Sequence, residues 1–205
     1  MGSVSEWFVK HVCRLLTFPS NVNYLSSSLQ YGIMPVVTNT SPVILLARMG
    51  RLRLLKDLYE SVLVPPFVKA ECIDRGREAG AREVPEIERG IREGWVQLVN
   101  LDKPERQEAR RLLDEARIGE GEAEALALSR HRHTLAVLDD KEARAIAKGW
   151  NLEHTSTVMV LFEAFKRELI SYDELVEDLA KLTSIMWIST DVITELIRRA
   201  KEVRR

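Results

Sequence analysis

Acidic and amide side chains recur in this sequence where an apolar segment ends or a helix is expected to begin. They are Asn39, Glu71, Glu122 and the neighbouring pair Asp139 and Asp140. Mg²⁺ and Mn²⁺ prefer oxygen ligands, and carboxylates that converge from different strands can supply them. A metal ion held in this way lowers the pKa of a water molecule and stabilises charge on a phosphodiester. The pattern therefore favours a metal site that cleaves phosphodiesters.

Each of these positions also has a purely structural explanation. Asn39 suits a turn, and a lone glutamate such as Glu71 is most often a solvated helix residue. Glu122 and Glu124 suit the first turn of a helix, where the helix dipole favours acids. The acid pair can supply a helix N-cap. The surrounding segments consist almost entirely of apolar or small residues. Taken together, the acids are therefore better explained by a functional site than by exposure to solvent.

The elements that position these residues begin with an apolar strand at Val36 and Val37. Thr40 or Ser41 is predicted to cap the helix that follows, with Pro42 in its first turn. Position 39 therefore lies where a strand ends and a helix begins, which is the edge of an open α/β sheet at which ligands bind.

Strand-like and helix-like segments alternate from residue 34 onward. This alternation predicts an α/β fold with three α/β/α layers, a mainly parallel central sheet and extra C-terminal helices. Strands are expected near 36–37, 62–64, 95–99, 134–138 and 151–155. A helix is expected near 67–77, after the second strand, and the C-terminal helices are expected near 158–168, 172–182 and 190–203.

The chain has 205 residues, of which 45% are hydrophobic and 30% charged, with a net charge of −1. Such a chain fits one domain, predicted here over residues 34–205. Residues 1–33 are interpreted as an N-terminal extension or linker, either an accessory arm or a segment upstream of a native start at Met34. The balanced charge means that any nucleic acid must be bound through a local basic patch.

Two further features concern the compartment. Cys13 and Cys72 do not have the spacing of a metal site, which favours free thiols in a reducing cytoplasm. The longest apolar run, from Ile33 to Ala47, is short and interrupted, so no membrane association is expected. We therefore predict a cytoplasmic protein.

Four short motifs carry a resemblance. The chain resembles PIN-domain proteins, the family of metal-dependent ribonucleases that includes the VapC-type toxins, from about residue 35 to residue 201. It is most similar to the branch with an Asp-Thr-Ser-Pro turn and a Gly-Glu-x-Glu-Ala helix start. The motifs are Thr40-Ser41-Pro42, Val68-x-x-Glu71, Gly121-Glu122-x-Glu124-Ala125 and Leu138-Asp139-Asp140.

The resemblance implies a ribonuclease that uses Mg²⁺ or Mn²⁺, acts on RNA, often forms a homodimer and often has a small antitoxin partner. It also implies a role for each matching position. The four acids of the family fall on Asn39, Glu71, Glu122 (with Glu124 one step behind) and Asp140 (with Asp139 adjacent). Supporting polar groups fall on Ser41 and on the segment Thr155, Ser156 and Thr157.

The chain departs from the family at Asn39, where an amide replaces the first acid. An amide oxygen can bind a metal ion but brings no charge, so the site should bind Mg²⁺ more weakly. Three interpretations remain open: a weakened nuclease, a PIN-type fold that has become a nucleic-acid or protein binding module, and an engineered inactive protein. Exposed Trp187 and Ile188 near the C-terminal helices would favour a binding module.

Basic residues beside the expected site are candidates for phosphate contacts, although any one of them can be a solvated helix residue. They are Arg48, Lys141 and Arg144. A receiver-like phosphorylation domain is disfavoured, because its acid pair would follow the first strand and here the pair follows the fourth.

Overall fold

The computed structural model describes residues 34–203. The predicted extension, residues 1–33, lies outside the described residues, and so does Cys13. Among the described residues, no helix is both long enough and apolar enough to cross a membrane.

The centre of the fold is a parallel sheet of five strands in the order β3-β2-β1-β4-β5. Its strands are β1 (Val36–Thr38), β2 (Val62–Val64), β3 (Val96–Leu98), β4 (Leu135–Val137) and β5 (His154–Thr155). The chain runs outward in one direction from β1 to β3 and then returns to the other side of β1 with β4. The gap between the carboxyl ends of β1 and β4 is therefore the switch point, where ligands bind in open parallel sheets.

Helices connect the strands in the predicted alternation. They are α1 (Thr40–Arg48), α2 (Arg53–Leu58), α3 (Pro66–Lys69), α4 (Gly76–Glu78), α5 (Val84–Arg92), α6 (Lys103–Glu115), α7 (Glu120–Arg132), α8 (Lys141–Gly149), α9 (Thr157–Lys166), α10 (Tyr172–Ile185) and α11 (Thr190–Val203).

Strand residues alternate between two hydrophobic clusters, one on each face of the sheet. Val36 packs with the cluster that contains residues of α1, α9, α10 and α11, whereas Val37 packs with the cluster that contains residues of α6, α7 and α8. Because successive strand side chains point to opposite faces, both faces must be covered. This confirms the three-layer α/β fold and places the C-terminal helices in one outer layer.

Two local predictions differ from the structure. The prediction that Thr40 or Ser41 caps α1 is wrong, because α1 begins at Thr40 and the N-cap is Asn39, whose side chain makes no capping hydrogen bond. Its amide is directed at another helix instead. Pro42 does lie in the first turn, as predicted.

The helix predicted over residues 67–77 contains a π-helical turn. Between α3 and α4 the segment Ala70–Arg75 is π-helical, and it contains both Glu71 and Cys72. Wider π-type turns often mark functional segments of a helix. Glu71, one of the predicted metal ligands, lies in the first half of this turn.

Candidate functional site

An open cavity of about 370 Å³ lies at the switch point, at the carboxyl ends of β1 and β4. Three carboxylates, two hydroxyls and four apolar side chains form its wall. These are Glu122, Asp139, Asp140, Thr40, Ser41, Ile44, Leu45, Ile185 and Met186. We refer to this cavity as the acidic pocket.

Asn39 does not line the pocket but bonds a residue of its wall. Its backbone N–H donates to the carbonyl of Val137, so the residue continues the pairing of β1 with β4. Its Nδ2 donates to Oε1 of Glu122 at 2.7 Å. The side chain is fully buried, and its Oδ1 has no hydrogen-bond partner among the described residues. An unsatisfied buried oxygen is costly, so this atom is suited to a cation or a water molecule.

Glu122 reaches the pocket because α7 begins unusually close to its neighbours. Gly121 allows this approach, since a Cβ atom there would lie 3.3 Å from Oγ1 of Thr40 and 3.4 Å from Cγ2 of Val68. The position of Glu122 in the first turn of α7 also places its carboxylate where the helix dipole favours negative charge.

Glu71 lies next to the pocket without forming its wall. One carboxylate oxygen accepts a hydrogen bond from Oγ1 of Thr40, and the other accepts from Nη1 of Arg75 at 3.2 Å. Thr40 itself lines the pocket. The Glu71 carboxylate is thus separated from the pocket by one hydroxyl group.

The two adjacent aspartates have different partners. Asp139 accepts from the backbone N–H of Thr157 at 2.8 Å and from its hydroxyl at 2.6 Å. Burial raises the pKa of Asp139, an effect that outweighs the opposing influence of Thr157 and of Arg144. Asp140 is the N-cap of α8 and accepts from the N–H of Ala143 at 2.7 Å through Oδ1.

The supporting residues separate into two groups. Ser41 lies on the pocket wall, and Thr157 holds Asp139 in place. Glu124 accepts from the backbone N–H of Phe67 at 2.7 Å, so it fixes the start of α3, the helix that leads to Glu71. Burial raises the pKa of Glu124. Thr155 contributes its backbone carbonyl to the N–H of Leu138, in the strand pairing beside the pocket.

The structure brings two of the three predicted phosphate-binding residues to the pocket edge. Lys141 and Arg144 belong to the first turns of α8, directly after Asp140. Arg48 is at the opposite end of α1 from the pocket, where its Nη2 lies 2.8 Å from Oε1 of Glu83. Arg48 therefore has a structural partner rather than a place beside the acids.

A comparison with known families decides what kind of domain this is. A family model described as a PIN domain matches residues 35–202, which is most of the chain and all five strands. The chain belongs to the PIN domain family. No functionally curated protein matches it. PIN domains are in general nucleases that use divalent metal ions.

The donor atoms of this PIN domain suit such an ion by chemical type. The pocket offers carboxylate oxygens from Glu122, Asp139 and Asp140. Asn39, whose amide bonds Glu122, adds an unsatisfied buried oxygen, Oδ1. Hard divalent cations prefer such oxygen donors. Within residues 34–203, however, no three His, Cys, Asp or Glu side chains are grouped so that they could hold a metal ion. One oxygen of Glu122, one oxygen of Asp140 and both oxygens of Asp139 accept the hydrogen bonds described above.

Several wall residues of this PIN domain were not expected from the sequence. Thr40 was interpreted only as a helix cap, although its place in the Thr-Ser-Pro turn was a usable signal. Ile185 and Met186 come from the end of α10, far along the chain. No local pattern places them at the pocket, because only the packing of α10 on the sheet layer does so.

Proposed function

We propose that this PIN domain is a ribonuclease dependent on Mg²⁺ or Mn²⁺, with activity weakened by Asn39. The observation that supports this most strongly is the hydrogen bond from Asn39 to Glu122, which lines a pocket together with Asp139 and Asp140. An amide with an unsatisfied buried oxygen stands where the family resemblance implies an acid.

The residues proposed to hold the ion are Glu122, Asp140 and Glu71, with Asp139 adjacent and Oδ1 of Asn39 as an uncharged ligand. When bound, the ion supplies the positive charge that acidifies the attacking water and stabilises the phosphodiester transition state. Glu71 must turn away from Thr40 to take part. Thr157 keeps Asp139 pointed into the pocket, and the α8 cap keeps Asp140 there.

RNA is proposed to approach along the start of α8. Lys141 is exposed and directly follows Asp140, so its ammonium group can neutralise a phosphate near the acids. Arg144 donates to the backbone carbonyls of Leu138 and Asp139, which holds its charge beside the pocket. A local pair of cations is what a chain of net charge −1 requires.

Cleavage of a mixed single-stranded RNA panel in Mn²⁺ tests this proposal. Asn39→Asp should cleave faster than the natural protein, because a fourth carboxylate increases affinity for the ion. Glu122→Gln in the Asn39→Asp background should abolish cleavage, and addition of EDTA should do the same. If Asn39→Asp cleaves no RNA in the panel, the proposed activity is wrong.

One observation favours a second function, that of a non-catalytic binding module. The hydrogen bond from Asn39 satisfies Glu122 without any ion, so the pocket is stable in the absence of metal. The exposed side chain expected at Trp187 is present, whereas Ile188 packs partly against the core. If Asn39→Asp binds RNA but does not cleave it, this result would support a binding function.

A toxin role of the VapC type, an antitoxin partner and a homodimer stay predictions of the resemblance. Growth arrest on expression, relieved by a small protein encoded directly upstream, would support the toxin role. Light scattering of the purified chain would establish its oligomeric state.

A further inference from the structure

Trp187 is the most exposed of the large apolar side chains in the described part of the chain, with 86% of its surface accessible. It lies in the segment between α10 and α11, one residue after Met186, which lines the acidic pocket. An indole ring left in water beside a pocket is unusual for a structural residue, because aromatic rings contribute most to stability when they are buried.

Trp187 directly follows two residues that line the pocket, Ile185 and Met186. Met186 is extended, with φ −141° and ψ 153°. Successive side chains of an extended segment point in opposite directions. Met186 and Ile188 pack against the core, whereas Ile185 and Trp187 are 44% and 86% exposed. Ile185 and Trp187 are therefore the exposed apolar side chains of this segment, and Ile185 lines the pocket.

We infer that Trp187 is a stacking surface for an unpaired RNA base next to the phosphodiester that enters the acidic pocket. This inference rests on the proposed function. A flat ring binds any base face, and the polar pocket beside it receives the backbone. Ile185 and Trp187 are the two exposed large apolar side chains of this segment. Each partner of a standard protein interface contributes roughly 20–30 residues, so two side chains fit a single base better than a protein partner.

Binding to a fluorescein-labelled single-stranded RNA of about ten nucleotides tests the inference in EDTA, which stops cleavage. Trp187→Ala should weaken binding by about 5- to 160-fold, the range for one lost base stack. Trp187→Phe should retain most of the affinity, because it keeps an aromatic face. Leu113→Ala, which truncates another exposed apolar side chain, is the matched control and should bind like the natural protein.

Three results would overturn the inference. In the first, Trp187→Ala binds the RNA as tightly as the natural protein. In the second, Trp187→Phe weakens binding as much as Trp187→Ala does. In the third, the natural protein binds the same RNA equally well in single-stranded and in duplex form. A change in oligomeric state on Trp187→Ala, seen by light scattering, would instead assign the ring to a protein interface. A failure of the proposed function is distinguished from a failure of this inference by a different measurement. The proposed function fails if Asn39→Asp does not cleave RNA, regardless of how the Trp187 variants bind.

Discussion

Asn39 donates a hydrogen bond to the Glu122 carboxylate, and an ionised aspartate at this position would have no hydrogen to donate. Two carboxylates about 4 Å apart repel each other by about 4 kcal/mol at an effective dielectric constant of about 20. The amide therefore stabilises the pocket when no cation is present. For the same reason, it reduces the attraction of the pocket for a cation.

Asp140 combines a structural and a proposed chemical role, and two substitutions separate them. Asp140→Ala should lower the free energy of unfolding by about 1 kcal/mol, because α8 loses its N-cap. Asp140→Asn should keep the cap and the stability while removing the charge. Urea denaturation measures the first effect, and RNA cleavage in the Asn39→Asp background measures the second. If Asp140→Asn cleaves like its parent, Asp140 is only a helix cap.

The order of strands and helices was predictable, whereas the details of the helix ends were not. Val36, Val37 and the apolar run at 62–64 are buried strands because β-branched and aliphatic residues suit a sheet covered on both faces. The π-helical turn at Ala70–Arg75 carries no such signal, since its residues have ordinary helical patterning. Asn39 was expected at the junction, but its hydrogen bond to α7 depends on tertiary packing.

The π-helical turn contains Cys72, and the burial of this thiol leads to a testable prediction. Burial raises the pKa of its thiol from 9.0 to about 12, and its side chain faces the carbonyl oxygen of Thr40. Because the folded-state pKa is raised, the neutral thiol stabilises the fold below about pH 9, and this contribution is lost as the pH rises towards 12.

Thiol labelling measures this protection. In a Cys13→Ser variant, Cys72 should react with a disulfide reagent at pH 8 far more slowly in the folded protein than in urea. Equal labelling rates in the two conditions would show that the segment opens freely and does not hold Glu71 in place.

At the scale of the whole molecule, a buried ion pair joins two distant parts of the chain. Asp178 of α10 is fully buried, and its Oδ2 lies 2.6 Å from Nε of Arg51, in the turn after α1. The same guanidinium lies 3.1 Å from the more exposed carboxylate of Glu174. This contact holds α10 against the rest of the fold, and α10 ends in Ile185, which lines the pocket.

Removal of Arg51 should therefore affect the pocket from a distance. Arg51→Met should lower the free energy of unfolding by about 3 kcal/mol. Among the described residues, the buried Asp178 carboxylate would then keep only the longer contact with exposed Lys181, whose Nζ lies 3.7 Å from Oδ1. Glu174→Gln is the matched control. It should stay close to the natural stability, because the Glu174 side chain is 45% exposed and glutamine can keep the capping box with Ser171. Equal denaturation midpoints for the two variants would contradict this account.

The pocket as a whole could be only partly predicted from the sequence. Glu122, Asp139, Asp140 and Ser41 were expected there, because parallel strands bring their carboxyl ends to one edge of the sheet. The sequence also predicted Glu71 and Arg48 beside the metal or the RNA. Their observed partners, Thr40 and Glu83, are set by three-dimensional packing that no spacing reveals.

The central claim is that Asn39 occupies a position of a metal site at which the family resemblance implies an acid. Calorimetric titration with Mn²⁺ tests this claim most directly. Asn39→Asp should bind Mn²⁺ at least about tenfold more tightly than the natural protein, a difference of about 1.4 kcal/mol. Mn²⁺ should also raise its melting temperature, because the ion relieves repulsion between Asp and Glu122. Loss of this binding on Glu122→Gln in the same background would confirm the location. If Asn39→Asp binds no Mn²⁺, the metal site is assigned wrongly.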